Sequence, residues 1–192
     1  LLKVSDDLIE KKDFVIRLNY GTIEGKQVDI FKKYNEVDED ILNIFNSTDT
    51  ITHGSHKLHQ MFMPHQLITD IFPYYVKALT LIYGENNFTH NESDLFKYGP
   101  GNFMKKHTDS VEGTRLCTSV LYLNDMQDDF IGGEVLFYEN NSNDESQPIF
   151  KYRPNKGDLI IMDSSEKCGT EGVPHAVSKI ENWNRYVNRV YW

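Results

Sequence analysis

His107, Asp109 and His175, followed ten residues later by Arg185, are the side chains whose types and spacing could do chemistry. A His-x-Asp pair with a distant second His has the make-up of a facial ligand set. Two imidazoles and one carboxylate hold Fe(II) on three positions and leave three for reactants. The spacing has a physical reason. Side chains at i and i+2 of a strand point to the same side, so His107 and Asp109 can reach one ion together. The third ligand must then come from another strand, hence the long gap to His175. Each residue also has a plain structural reading. Lone His and Asp residues mostly serve packing and hydrogen bonding, and an Arg in a terminal strand is usually a surface charge.

The elements needed to position these groups are visible around them. Residues 115–124 (RLCTSVLYLN), 133–138 (GEVLFY), 158–162 (DLIIM) and 185–192 (RYVNRVYW) are short runs rich in Val, Ile, Tyr and Phe. Gly132-Gly133, Asn124-Asp125 and Lys156-Gly157 punctuate them, and residues 139–147 (ENNSNDESQ) have the composition of a loop. Such a series predicts an all-β sandwich or barrel, and a double-sheet jelly roll fits the strand count. Parity places Arg185, Val187, Arg189 and Tyr191 on one face of the last strand and Tyr186, Asn188, Val190 and Trp192 on the other. Likewise Thr118, Val120 and Tyr122 share a face.

The N-terminal half is mixed. Residues 37–45 and 67–83 show helix-like apolar spacing, with Pro73 expected to end or kink the first piece of the second. His53, His56 and His59 sit at three-residue intervals, but no Cys or clustered carboxylate accompanies them, and a loop is the expectation there rather than a metal site. Residues 49–66 are a candidate for a loop covering the substrate.

Several ordered motifs run through the second half. They are Tyr98-Gly99-Pro100-Gly101, Lys106-His107-Thr108-Asp109, Arg115-x-x-Thr118-x-x-x-Tyr122-Leu123-Asn124, Gly132-Gly133-Glu134-x-x-Phe137, Pro154-x-x-Gly157-Asp158-Leu159-Ile160, and Val173-Pro174-His175 with Arg185. In this order they make the stretch from 98 to 192 resemble the 2-oxoglutarate- and Fe(II)-dependent dioxygenases, and within them the prolyl 4-hydroxylase branch. The resemblance implies a mainly β (α+β) fold. Residues 91–192 would form a double-stranded β-helix (jelly-roll, cupin-like) core, and residues 1–90 would supply supporting helices and outer strands of the same single domain. It implies Fe(II) on His107, Asp109 and His175, with 2-oxoglutarate and O2 as co-substrates and ascorbate as an accessory. Arg185 would take the distal carboxylate of 2-oxoglutarate, where many prolyl 4-hydroxylases carry Lys. Thr118 and Tyr122 would offer hydroxyls to that carboxylate, Val120 an apolar wall, and Tyr98 a further contact near the co-substrate.

The activity implied is hydroxylation of a substrate C–H with release of succinate and CO2. The substrate would be a proline-containing peptide or protein, hydroxylated at C4. The alternatives are a same-fold hydroxylase of a free amino acid or other small metabolite, and a non-catalytic binding module. Arg189 decides part of this choice. It shares a face with Arg185, and could hold a substrate carboxylate, pair with an acid such as Glu134, or reach solvent at the open end, the last being the default expectation.

Composition agrees with an enzyme of one domain. Its 192 residues suffice to enclose a core. A net charge of −9 argues against a partner bound through phosphates, so no nucleic acid is expected. No stretch has the apolar length of a membrane span. Cys117 and Cys168, the two cysteines, are not expected to form a disulfide, which favours a reducing, cytoplasmic setting. A monomer is expected.

Overall fold

β-Branched and aromatic residues dominate the strand runs, and their alternation is what the folded sheet uses. The computed structural model describes residues 2–23, 26–46, 56–62, 65–85, 87–90, 92–109, 115–139, 147–164 and 172–192. Among the described residues three α-helices are formed: α1 (Leu2–Glu10), α2 (Glu39–Asn46) and α3 (His65–Tyr83). The strands are β1 (Val15–Ile23), β2 (Lys26–Lys33), β3 (His56–Phe62), β4 (Glu92–Tyr98), β5 (Phe103–His107), β6 (Cys117–Tyr122), β7 (Val135–Phe137), β8 (Phe150–Tyr152), β9 (Leu159–Asp163), β10 (His175–Val177) and β11 (Arg185–Tyr191). Hydrogen bonding joins them in the order β8-β7-β10-β5-β3-β4-β11-β6-β9, with β1 and β2 extending from β3. The ladder folds over, so that β5, β7 and β10 line one side of a cavity and β4, β6, β9 and β11 the other. This is the mainly β, double-stranded β-helix architecture expected.

β11 is the central strand of the larger layer and is buried on both faces. Its Val187 joins a cluster inside the cavity with Phe96, Tyr98 and Tyr122, while Val190 and Trp192 pack outward with Tyr75, Leu79 and Cys117. The outward face is covered by α3, whose buried Tyr75 and Leu79 sit one helical turn apart. The Tyr75 hydroxyl donates to Asn188 Oδ1 at 2.7 Å and so pins the helix to the strand. α1 is tied to the same face, where Asp6 accepts a hydrogen bond from Tyr186 at 2.9 Å.

Two features differ from what the sequence suggests. α3 continues through Pro73 as one helix of 19 residues. A mid-helix proline removes one donor and costs about 3 kcal/mol, and the apolar face against β11 offsets that loss. Residues 56–62 form strand β3 rather than part of a covering loop; the rest of the 49–66 interval that lies at 49–55 and 63–64 is outside the described residues. His56 and His59 thus lie on a strand rather than in the expected loop, and His53 falls outside the described residues. β3 pairs with both β4 and β5 along one edge and with β1 along the other, so it joins β1 and β2 to the core strands.

Candidate metal and co-substrate site

The turn between β4 and β5 shows how the local sequence aims the site. Pro100 and Gly101 occupy its centre, Gly101 has φ +80°, and Asn102 N–H donates to the Gly99 carbonyl at 2.9 Å. Proline at the second position and a positive-φ glycine at the third are the requirements of a type II turn. The turn carries the chain from Tyr98 at the end of β4 into β5, which runs in the same direction along β3 and ends at His107.

His107 and His175 are direct partners across the β5–β10 ladder. Their rings lie 4.3 Å apart between centroids. Asp109, two residues beyond His107, places Oδ1 3.6 Å from His107 Nε2 and Oδ2 3.6 Å from His175 Nε2. One donor atom from each of the three residues lies within 4.8 Å of the others. Both imidazoles are oriented from behind. His107 Nδ1 is 2.8 Å from the Lys105 carbonyl, and His175 Nδ1 is 2.8 Å from the Val173 carbonyl. A carbonyl only accepts, so each Nδ1 carries the proton and each Nε2 presents a lone pair toward the Asp109 side, as a metal requires. Electrostatics favours the same forms. Burial lowers the His175 pKa to about 4, aided by the neighbouring His107. For Asp109, burial alone would raise the pKa. The neighbouring His107, His175 and Arg189 outweigh it and hold the carboxyl well below the usual range. A deprotonated carboxylate flanked by two imidazole Nε2 atoms fits a divalent cation.

The second group forms around Arg185, which is 3% exposed. Its Nη1 donates to the Gly133 carbonyl at 3.0 Å and its Nη2 to the Tyr122 hydroxyl at 2.9 Å. Its guanidinium also lies near the ring faces of Tyr98 and Tyr122. The Gly132-Gly133 pair is explained by this contact. Both residues have positive φ, and a Cβ would stand 1.7 Å from the Lys179 carbonyl oxygen at Gly132 and 2.6 Å from Trp183 at Gly133. Only glycine lets this backbone pass close enough for Gly133 to reach Arg185. Among the described residues no carboxylate forms an ion pair with Arg185. Its buried Nε has no hydrogen-bond partner. Burial raises the Tyr122 pKa despite the adjacent cation, so the phenol keeps its proton. A buried, unneutralised guanidinium of this kind is costly unless an anion joins it. The carboxylate of an acidic co-substrate fits that need.

Both groups open on one cavity of about 280 Å³, close to the lower end of the ~300–1,000 Å³ typical of small-molecule clefts. Its apolar walls include Val120, Val135, Ile160, Met162 and Val187. Tyr98 and Tyr122 line it. Thr118 does not, although it shares the parity of Val120 and Tyr122. β6 and β11 are antiparallel, so Tyr122 pairs with Val187 near Arg185 while Thr118 pairs with Tyr191 at the far end. The Thr118 hydroxyl is fully buried and bonded to Ser164 Oγ at 3.1 Å, which removes it from any role beside Arg185.

Arg189 is also placed differently from its default. It is 8% exposed rather than solvated, and it pairs with Asp94 and, at 3.2 Å, with Glu92. Glu134 is not its partner; that residue pairs with Arg153 at 3.7 Å and accepts a hydrogen bond from Ser178. Asp94 was legible in principle as an acid alternating with Phe96 and Tyr98 in an apolar strand. Its register opposite Arg189 was not. Cys117 lies in the outer cluster beneath α3, and Cys168 is outside the described residues.

Comparison with known proteins agrees with this geometry. No curated protein matches the sequence. Among solved structures, a viral collagen prolyl hydroxylase from Paramecium Bursaria Chlorella virus-1, in complex with 2-oxoglutarate, superposes with a TM-score of 0.53 at 21% identity, covering 71% of this chain and 78% of that one. A prolyl-4-hydroxylase from Pseudomonas putida gives 0.52 at 18% identity, covering 71% of each chain. An oxidoreductase of the 2OG-Fe(II) oxygenase family from Burkholderia pseudomallei gives 0.57 at 15% identity, covering 99% of this chain and 77% of that one. These likenesses establish the shared fold. The family model for the 2OG-Fe(II) oxygenase superfamily matches residues 93–192, just over half the chain and the span that carries both groups of the cavity. With a donor set suited to iron facing the same space as an unneutralised buried arginine, the chain belongs to the 2OG-Fe(II) oxygenase superfamily and is an Fe(II)- and 2-oxoglutarate-dependent dioxygenase.

Proposed function

We propose that this enzyme hydroxylates a prolyl residue of a peptide or protein at C4, with His107, Asp109 and His175 as iron ligands and Arg185 and Tyr122 as the seat of the distal 2-oxoglutarate carboxylate. The observation that carries the reading is the sharing of one cavity by the three-ligand cluster and Arg185. Charge supports it. A divalent ion held by one carboxylate keeps a single positive charge and Arg185 adds another, together matching the two carboxylates of 2-oxoglutarate. Bound iron supplies O2 activation, coupled to oxidative decarboxylation of 2-oxoglutarate to succinate and CO2. The protein's own part is positional. Arg185 fixes the co-substrate's direction through parallel hydrogen bonds, Tyr122 adds a neutral donor, and Val120, Ile160 and Val187 keep water from its methylene chain. The His107 side chain, 31% exposed against 8% for His175, marks the side from which a substrate reaches the centre.

The prolyl assignment is supported by the prolyl 4-hydroxylase-like motifs and by the two prolyl hydroxylases of the same fold. The free amino acid alternative relied on Arg189 to hold a carboxylate. Its pairing with Asp94 and Glu92 weakens that alternative. Mass spectrometry of proline peptides and of free amino acids incubated with enzyme, Fe(II) and 2-oxoglutarate tests the choice. A gain of one oxygen on a prolyl residue is expected. Oxygen added to a free amino acid, with no proline peptide raising succinate release above the substrate-free rate, would overturn it.

A further inference from the structure

Tyr191 ends β11 and is neither a ligand nor a co-substrate contact in the reading above, yet it is built into the site more firmly than packing requires. Its ring lies between two guanidinium groups, with Arg115 Cζ 3.4 Å and Arg189 Cζ 4.0 Å from its centroid. Its hydroxyl accepts a hydrogen bond from Arg189 Nη1 at 2.5 Å and stands 3.4 Å from Asp109 Oδ1. An arginine N–H only donates, so it occupies a lone pair of the phenol oxygen and leaves the phenolic proton to be given to the carboxylate. At 3.4 Å that bond is long, and a small rotation of Asp109 closes it. Arg189 is in turn held by the buried Asp94 carboxylate. On its other flank Arg115 donates to the Asp109 main-chain carbonyl at 2.9 Å. Asp109 is therefore gripped twice, at its carbonyl by Arg115 and at its carboxylate by Tyr191.

We infer that Tyr191, clamped between Arg115 and Arg189 and polarised by the Arg189–Asp94 ion pair, is a positioning residue that orients the Asp109 carboxylate for metal binding. Chained hydrogen bonds strengthen one another, and a donor on a ligating carboxylate restricts the rotation that metal binding would otherwise have to freeze. Outer partners of this kind are worth about 10–100-fold in metal affinity or activity. The inference rests on Asp109 being a metal ligand.

Tyr191→Phe isolates the hydroxyl, because the ring and its two guanidinium neighbours remain. The measurement is Mn(II) affinity of the full chain by electron paramagnetic resonance, with the visible spectrum of the Co(II) form as a report on ligand geometry. Tyr191→Phe is expected to weaken Mn(II) binding about tenfold and to alter the Co(II) spectrum. The KM for 2-oxoglutarate at saturating metal is expected to stay within about twofold, since the hydroxyl touches the metal ligand and not the co-substrate. The double variant Asp94→Asn/Arg189→Gln, which removes both buried charges together, should weaken Mn(II) in the same direction. Adding Tyr191→Phe to it should cost little more, because the groups act through one hydroxyl. Wild-type Mn(II) affinity and Co(II) spectrum in Tyr191→Phe would overturn the inference, and if that variant does not fold, the double variant decides by the same criterion. Asp109→Ala separates the two levels. Loss of Mn(II) there with none in Tyr191→Phe sinks the positioning role alone, whereas unchanged Mn(II) in Asp109→Ala sinks the ligand assignment beneath it.

Discussion

Arg185 and Arg189 are the same residue type on the same face of the same strand, about 13 Å apart by strand rise, and both are buried. Their surroundings make them opposites. Across the sheet Arg185 meets Tyr98, and Arg189 meets Asp94. The first keeps a cation with neutral partners, a carbonyl and a phenol, and so has charge to give to an incoming carboxylate. The second is neutralised by a carboxylate that is itself 2% exposed, and its Nη1 donates to Tyr191. A buried charge serves a ligand only where the fold has declined to satisfy it. What faces the residue across the ladder decides this, rather than the residue's own identity.

The strongest challenge to that contrast is to remove the metal cluster that both arginines flank. His107→Ala, Asp109→Ala and His175→Ala should each abolish succinate formation, because a three-ligand site has none to spare; wild-type turnover in any folded one of them would dissolve the site. Next comes Arg189→Ala, which strands the Asp94 carboxylate in the interior and should destabilise the fold by about 3–5 kcal/mol. Glu92, whose side chain is 55% exposed, adds little to this loss. Denaturant unfolding measures it, and a change under about 1 kcal/mol would mean that the pair is not structurally important.

Arg185→Ala should behave in the reverse manner. It leaves no buried carboxylate behind, and it should raise the KM for 2-oxoglutarate by a factor corresponding to about 2–5 kcal/mol, with Mn(II) affinity nearly unchanged. An unaltered KM would hand the co-substrate to another cation. The smallest effect is expected at Thr118, whose hydroxyl meets Ser164 and not the cavity. Thr118→Val should cost about 1 kcal/mol of stability and leave the 2-oxoglutarate KM within about twofold, and a large rise in KM would restore Thr118 to the co-substrate site.

Much of the centre was legible because it obeys strand parity. Arg185, Val187, Arg189 and Tyr191, on one side of β11, all emerge on the cavity face, and Asp109 reaches it from two residues past the end of β5 at His107. The strand runs and the α3 region were legible for the same reason, since amphipathic periodicity is local. Pro73 shows the limit of local rules, because tertiary packing carries the helix past a residue whose propensity opposes it.

By itself, then, the sequence determined which side chains could bind iron and a carboxylate, which faces they share, and the family to which they belong. Tertiary structure alone decided which of them meet. Thr118 and Tyr122 share a face, but the antiparallel register with β11 sets Tyr122 beside Val187 near Arg185 and Thr118 beside Tyr191, outside the cavity lining. Asp94 and Arg189 are far apart in the chain, and the β4–β11 register makes them an ion pair. Periodicity states the direction in which a side chain points. Register states what it points at, and register is set by the whole ladder of strands, including β3 from the distant N-terminal half, rather than by any one of them.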